Sequence, residues 1–177
     1  MNYAEIKYND IANGIGVRTS LFVSGCTHHC KECFNPMTWD FAYGKVFNKE
    51  VEDAIIESLK PAYISGLTML GGEPMEPFNQ EALLPFYKRV RSECPGKTIW
   101  IYSGYTWEQL NDPTFTRAYT PFTSEILSLA DILVDGEFVL EKKSLGLRFR
   151  GSSNQRIIDV PATLAAGEIV LSEYSNR

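Results

Sequence analysis

The sequence has no long apolar run, no surplus of positive charge, no repeat and few cysteines, and each shortage excludes something. No stretch approaches the roughly 20 apolar residues that a bilayer-spanning helix needs. Met1–Asp10 is polar and mixed in charge rather than basic and then apolar. A cytoplasmic protein with no membrane partner is expected. Lys and Arg number 17 against 22 Asp and Glu, a formal net charge of -5. Nucleic acids and anionic membrane surfaces draw clustered cations, so neither is an expected partner. With no repeat, linker or low-complexity segment, residues 1–177 read as a single domain. A chain of this size buries roughly 70% of its unfolded surface, so a metal is not needed merely to hold the core together.

What is present is an uneven set of four cysteines. Cys26, Cys30 and Cys33 form a C-x3-C-x2-C cluster, and Cys94 stands far downstream. A reducing cytosol does not maintain a disulfide framework, so three clustered thiols point to a metal or to redox chemistry. Three readings compete. Structural zinc takes four ligands, usually as two separated pairs; His28 or His29 can complete the set, but there is no second pair. A dithiol redox site would use Cys30 and Cys33 and leave Cys26 without a role. An iron–sulfur cluster suits soft thiolates, and a 4Fe-4S cluster on three cysteines leaves one iron open.

Short β-branched or aromatic runs recur, each followed by a glycine-bearing polar segment: 19–23, 67–70, 98–102 and 132–134, with a fifth candidate at 156–160. Helical signals lie between them. Asn48 caps a helix carrying Val51, Ile55 and Leu59; Asn79 starts another, with Pro85 implying a kink or a later start. Thr106 and Gln109 have capping-box form, and Thr123 or Ser124 opens a fourth helix. This alternation predicts an α/β fold with a mostly parallel sheet and helices outside. Ligands on such sheets bind beyond the carboxyl ends of the strands. The cysteine loop, Gly71-Gly72-Glu73-Pro74, Ser103-Gly104-Tyr105 and Asp135-Gly136 should therefore converge on one face.

Three cysteines after the first run, with Gly-Gly-Glu-Pro after the second, resemble the radical S-adenosylmethionine (SAM) enzymes. Further segments narrow the resemblance: Asn13-Gly14-Ile15-Gly16-Val17-Arg18, Phe34-Asn35, Thr38-Trp39, Cys94-Pro95-Gly96-Lys97, Tyr102-Ser103-Gly104-Tyr105, Val134-Asp135-Gly136 and Arg150 to Gln155. Together they resemble the anaerobic ribonucleoside-triphosphate reductase activating proteins, from about Met1 to Asp159.

The resemblance implies a partial (β/α) barrel of the radical SAM type. It implies a 4Fe-4S cluster on Cys26, Cys30 and Cys33, whose open iron binds SAM. Reductive cleavage of SAM would give a 5'-deoxyadenosyl radical, which generates a glycyl radical on the large subunit of an anaerobic (class III) ribonucleotide reductase. Reduced flavodoxin or a similar carrier would donate the electron. No catalytic side chain beyond the cluster ligands is implied.

Gly71, Gly72 and Glu73 would meet the methionine end of SAM, and the backbone of Glu32, Cys33 and Phe34 the adenine. Glu32 departs from the aromatic or glycine common at its position. Alternatives are an activase of the formate-lyase type and a non-catalytic zinc-binding interaction protein. His28 and His29 read as solvated loop positions, Cys94 as a plain thiol, and Arg18 as partner-facing or, more simply, a solvated or salt-bridged residue. Ser103, Gly104 and Asp135 either touch SAM or simply end their strands, and 154–156 face a partner or solvent. From about 161 the chain reads as a C-terminal extension of unknown role.

Overall fold

The computed structural model describes residues 1–176. In chain order the elements are β1 (Asn2–Asp10), β2 (Val17–Val23), β3 (Lys45–Val46), α1 (Lys49–Leu59), β4 (Ile64–Gly71), α2 (Pro77–Glu93), β5 (Thr98–Ser103), α3 (Trp107–Leu110), α4 (Thr123–Leu129), β6 (Ile132–Asp135), β7 (Arg156–Asp159) and α5 (Val160–Ala166). One seven-stranded sheet has the order β3-β1-β2-β4-β5-β6-β7. β2, β4, β5 and β6 pair in parallel, each step returning through helix, as the alternation predicts. Both edges are antiparallel: β1 and β3 on one side, β7 on the other.

β1 escapes the sequence pattern because an edge strand need not be apolar. Only Met1, Tyr3 and Ile6 of its neighbourhood pack on the core, and most of its other residues are polar. Three helix expectations hold. Asn48 accepts from the Val51 amide at 3.0 Å, the Thr106–Gln109 capping box forms, and Thr123 opens α4. The fourth is corrected. α2 begins at Pro77, which suits a first turn that needs no amide donor, and it continues through Pro85. Asn79 is no cap but a buried connector, its Nδ2 donating to the carbonyls of Ser24 and Glu73 at 3.0 Å each.

Side chains alternate across the sheet, so the two faces read directly off β5. Ile99 and Ile101 join Leu21, Leu67, Met69 and Leu133 beneath α1, α2 and α4. Trp100 points the other way, into a smaller cluster with Ile132, Val134 and Ile157. Arg18 enters this second face and is 1% exposed, which overturns its reading as partner-facing, solvated or salt-bridged. All of its nitrogens are spent on neutral oxygens: Thr68 Oγ1, Thr98 Oγ1 and the carbonyls of Ile15, Leu67 and Thr98. Its guanidinium lies 5.4 Å from the Trp100 ring. Burial lowers its pKa to about 10, which still leaves it charged at neutral pH.

The expected C-terminal extension is integral to this face. The Ser172 amide donates to the Ile157 carbonyl at 2.8 Å, Ser175 Oγ to the same carbonyl at 2.9 Å, and the Tyr174 ring packs 5.8 Å from Trp100. Arg177, the last residue of that extension, lies outside the described residues. Arg18 and Trp100 thus fill the end of the second face near the strand starts. Towards the strand ends, Phe22, Leu70, Tyr102 and Val134 line an open cavity.

Candidate functional site

The cavity occupies ≈ 630 Å³ at the carboxyl ends of the four parallel strands. Cys26, Cys30, Glu32, Cys33, Phe34, Gly71, Gly72 and Glu73 all line it, as do Ser103 and Gly104. The convergence expected of an α/β sheet is therefore present.

The cysteine loop leaves β2 at Val23 and folds back on itself. The Gly25 amide donates to the Thr38 carbonyl at 2.8 Å, and the Cys26 amide to the Trp39 carbonyl at 3.3 Å. His29 and Glu32 turn the loop with positive φ, 50° and 58°, a conformation that costs a side-chain-bearing residue strain. Cys26 is buried, whereas Cys30 and Cys33 are half-buried. Burial, with Glu73 nearby, pushes the Cys26 thiol up to about 12, and burial also raises Cys30. A metal that binds here must displace those protons. The Asn35 amide donates to Cys33 Sγ at 3.4 Å.

The Gly-Gly-Glu-Pro loop docks on the cysteine loop through two backbone hydrogen bonds. The Gly72 amide donates to the Val23 carbonyl at 2.7 Å, and the Glu73 amide to the Gly25 carbonyl at 2.8 Å. Contacts this close explain the glycines. Gly71 has φ +106°, and a Cβ there would meet the β2 backbone at 2.7 Å; one on Gly72 would lie 2.7 Å from the Gly25 carbonyl oxygen. The pair is thus needed to dock two loops of the chain, whatever ligand follows.

Glu73 is 1% exposed and held by three donors. Its Oε1 accepts from the Met75 amide at 2.8 Å; its Oε2 accepts from the Gly104 amide at 2.7 Å and meets His28 Nε2 at 2.9 Å. His28 is therefore not solvated: its side chain is 4% exposed, and Nδ1 meets Glu137 Oε1 at 2.6 Å. Burial opposes a charge on that ring, but the two carboxylates outweigh it and raise the pKa. His29 stacks on Trp39 with centroids 4.3 Å apart. Behind the loop, Glu76 Oε1 accepts from the Thr27 amide at 2.8 Å and from its hydroxyl at 2.7 Å.

Family comparisons agree with this geometry. A family model described as a 4Fe-4S single cluster domain matches residues 12–158. The anaerobic ribonucleoside-triphosphate reductase-activating protein of Pasteurella multocida is 44% identical over 159 residues, 89% of this chain and 96% of its own. The protein of the same name in Escherichia coli K12 is 41% identical over 157 residues, 88% of this chain and 96% of that one. That of bacteriophage T4 is 35% identical over 159 residues, 89% and 93% of the two chains. The chain belongs to the anaerobic ribonucleoside-triphosphate reductase-activating protein family. No solved structure matches it.

Within the activating-protein family's frame, the donor set suits an iron–sulfur cluster: three cysteine thiols, soft ligands for iron, line one cavity. Both ring nitrogens of His28 are already paired with carboxylates, so His28 is not offered as a metal ligand.

Other expected residues have different tasks. Asp135 is fully buried but does not line the cavity; it accepts from the Trp107 amide at 2.7 Å and from Arg156 Nε at 2.9 Å. Asn154 and Gln155 hold the carbonyls of Glu137 and Gly136 rather than facing outward. Cys94 is a buried free thiol beneath the Ile56 carbonyl, as a plain thiol should be. The contributions of His28, Glu76, Asn79 and Glu137 carry no local sequence signal, since each depends on a distant loop. No described helix is long and apolar enough to cross a membrane.

Proposed function

We propose that this protein activates an anaerobic ribonucleotide reductase by radical SAM chemistry, with a 4Fe-4S cluster on Cys26, Cys30 and Cys33. The observation that carries the reading is the backbone-to-backbone docking of the three-cysteine loop on the Gly-Gly-Glu-Pro loop at one cavity. When bound, the cluster supplies the electron that cleaves SAM to methionine and a 5'-deoxyadenosyl radical, which takes a hydrogen atom from a glycine of the reductase. The protein's work is to bind, orient and exclude water.

Three cysteines would leave one iron of the cluster open to the amino and carboxylate groups of SAM. Glu73 would accept a hydrogen bond from that amino group, next to Gly71 and Gly72, and the backbone of Glu32, Cys33 and Phe34 would face the adenine. The cavity volume lies within the range of small-molecule sites, roughly 300–1,000 Å³. Apolar walls from Phe22, Leu70 and Val134 limit water around the reacting carbon. The sheet, parallel at its centre and open along one face, serves as a partial barrel closed by the reductase. A low-potential carrier such as flavodoxin delivers the electron in the cytoplasm.

Anaerobically reconstituted protein should be brown, contain iron and sulfide, and form 5'-deoxyadenosine from SAM and dithionite. Addition of the reductase should then give a glycyl-radical signal in electron paramagnetic resonance. Colourless protein with stoichiometric zinc would overturn the reading, and a radical formed only on a formate-lyase would move it to that class of partner.

A further inference from the structure

His28 sits between the first two cysteines, yet its bonds run to two other loops. We infer that His28 is a positioning residue that aims the Glu73 carboxylate at the amino group of the bound cosubstrate. This rests on the reading that Glu73 accepts a hydrogen bond from that amino group.

A carboxylate buried to 1% exposure must be held by donors, or its desolvation is uncompensated. Glu73 has three. The Met75 and Gly104 amides are fixed parts of their loops, and His28 Nε2 is the one side-chain donor among the described residues. Two of the three bonds fall on Oε2. Oε1 accepts only from Met75 and keeps capacity for another donor from the cavity that Glu73 lines. The arrangement therefore leaves one defined oxygen for the ligand.

His28 is itself held on every side. Glu137 takes Nδ1 at 2.6 Å, and the Tyr105 ring lies 4.3 Å from the imidazole centroid. Room for the imidazole comes from Gly104, where a Cβ would sit 2.6 Å from Nε2. Gly104 thus serves twice, by donating its amide to Glu73 and by lacking a side chain where His28 passes. A ligand's donor group binds most tightly to a partner already oriented, because ordering it on arrival costs affinity.

The test measures binding of SAM, and of an analogue lacking the α-amino group, to cluster-loaded protein by calorimetry. Iron and sulfide content are determined on the same samples. His28→Ala should weaken SAM about tenfold, a difference of about 1.4 kcal/mol, while the des-amino analogue changes less than twofold. His28→Gln, which retains one donor for Glu73, should recover most of the loss. Gly104→Ala, which evicts the imidazole without altering residue 28, should reproduce it.

Equal losses for both ligands would overturn the inference in favour of a loop-holding role. So would unchanged SAM affinity, or loss of iron from His28→Ala and His28→Gln alike. Wild-type protein that binds SAM with this dependence but forms no 5'-deoxyadenosine would refute the proposed reaction and leave the positioning role intact. Wild-type protein that binds no SAM would refute both.

Discussion

Replacing Gly72 by Ala should unsettle the whole site, and the structure sets the size of the effect. The added Cβ would lie 2.7 Å from the Gly25 carbonyl oxygen and 3.0 Å from those of Thr38 and Val23. All three neighbours are backbone, so none can rotate away. Overpacking by one methyl group costs about 1–3 kcal/mol. Separating the loops also weakens the bonds from the Gly72 and Glu73 amides, each a net contribution of about 1 kcal/mol. A total near 2–4 kcal/mol should lower the Tm of the metal-free protein by roughly 5–15 °C for a domain of this size. Far-UV circular dichroism would follow melting, and iron content after anaerobic reconstitution would report on the cysteine loop. Gly146→Ala is the control, because its nearest neighbour, Ser144 Oγ, is 3.8 Å away. That change should stay within about 0.5 kcal/mol. If Gly72→Ala melted within about 2 °C of the parent and bound full iron, the two-loop docking argument would fail.

Three further outcomes are expected. Ala at Cys26, Cys30 or Cys33 should each abolish cluster absorbance and 5'-deoxyadenosine formation, whereas Cys94→Ala should retain both and cost about 1 kcal/mol in urea unfolding. Arg18→Ala should destabilise by about 3–5 kcal/mol, also read from urea midpoints, because it opens a cavity and strips a donor from three carbonyls, one buried and two half-buried. Arg156 hydrogen-bonds Glu108 and holds its carboxyl at about 2 against an ordinary 4.5. A lowered folded-state pKa stabilises above the unfolded value and loses that contribution as pH falls. Tm should therefore drop between about pH 4.5 and 2, and Glu108→Gln should flatten that part of the profile.

How much of this was legible depended on whether the signal was local. The central strands could be read because β-branched and aromatic runs end in glycine-bearing loops; Ile99-Trp100-Ile101 even carries both faces of the sheet. β1 was missed although Ala4, Ile6 and Tyr8 alternate with Glu5, Lys7 and Asn9, because it lacks the continuous β-branched or aromatic run and the glycine-bearing end that mark the other strands. The three cysteines and the Gly-Gly-Glu-Pro announced themselves by spacing, and the structure places the cysteines, Gly71, Gly72 and Glu73 on one cavity. His28 looked solvated because the partners that bury it, Glu73 and Glu137, lie 45 and 109 residues away. Arg18 looked like an ordinary surface cation for the same reason, since Thr68 and Thr98 are 50 and 80 residues downstream. Asp135 and Arg156 were drawn towards a ligand or partner in sequence and found each other instead.

The distance between His28 and Glu137 also has a meaning in time. Chains are synthesised at roughly 5–20 residues per second, so the 109 residues between them take roughly 5–20 s to emerge. Through that interval the three thiols have left the ribosome while β6 and the loop beyond it do not yet exist. The loop that holds the cysteines acquires its roof only when the last parallel strand is in place. For the cluster site proposed above, the Glu137 contact that fixes His28 is therefore available only after β6 and the loop beyond it have been made.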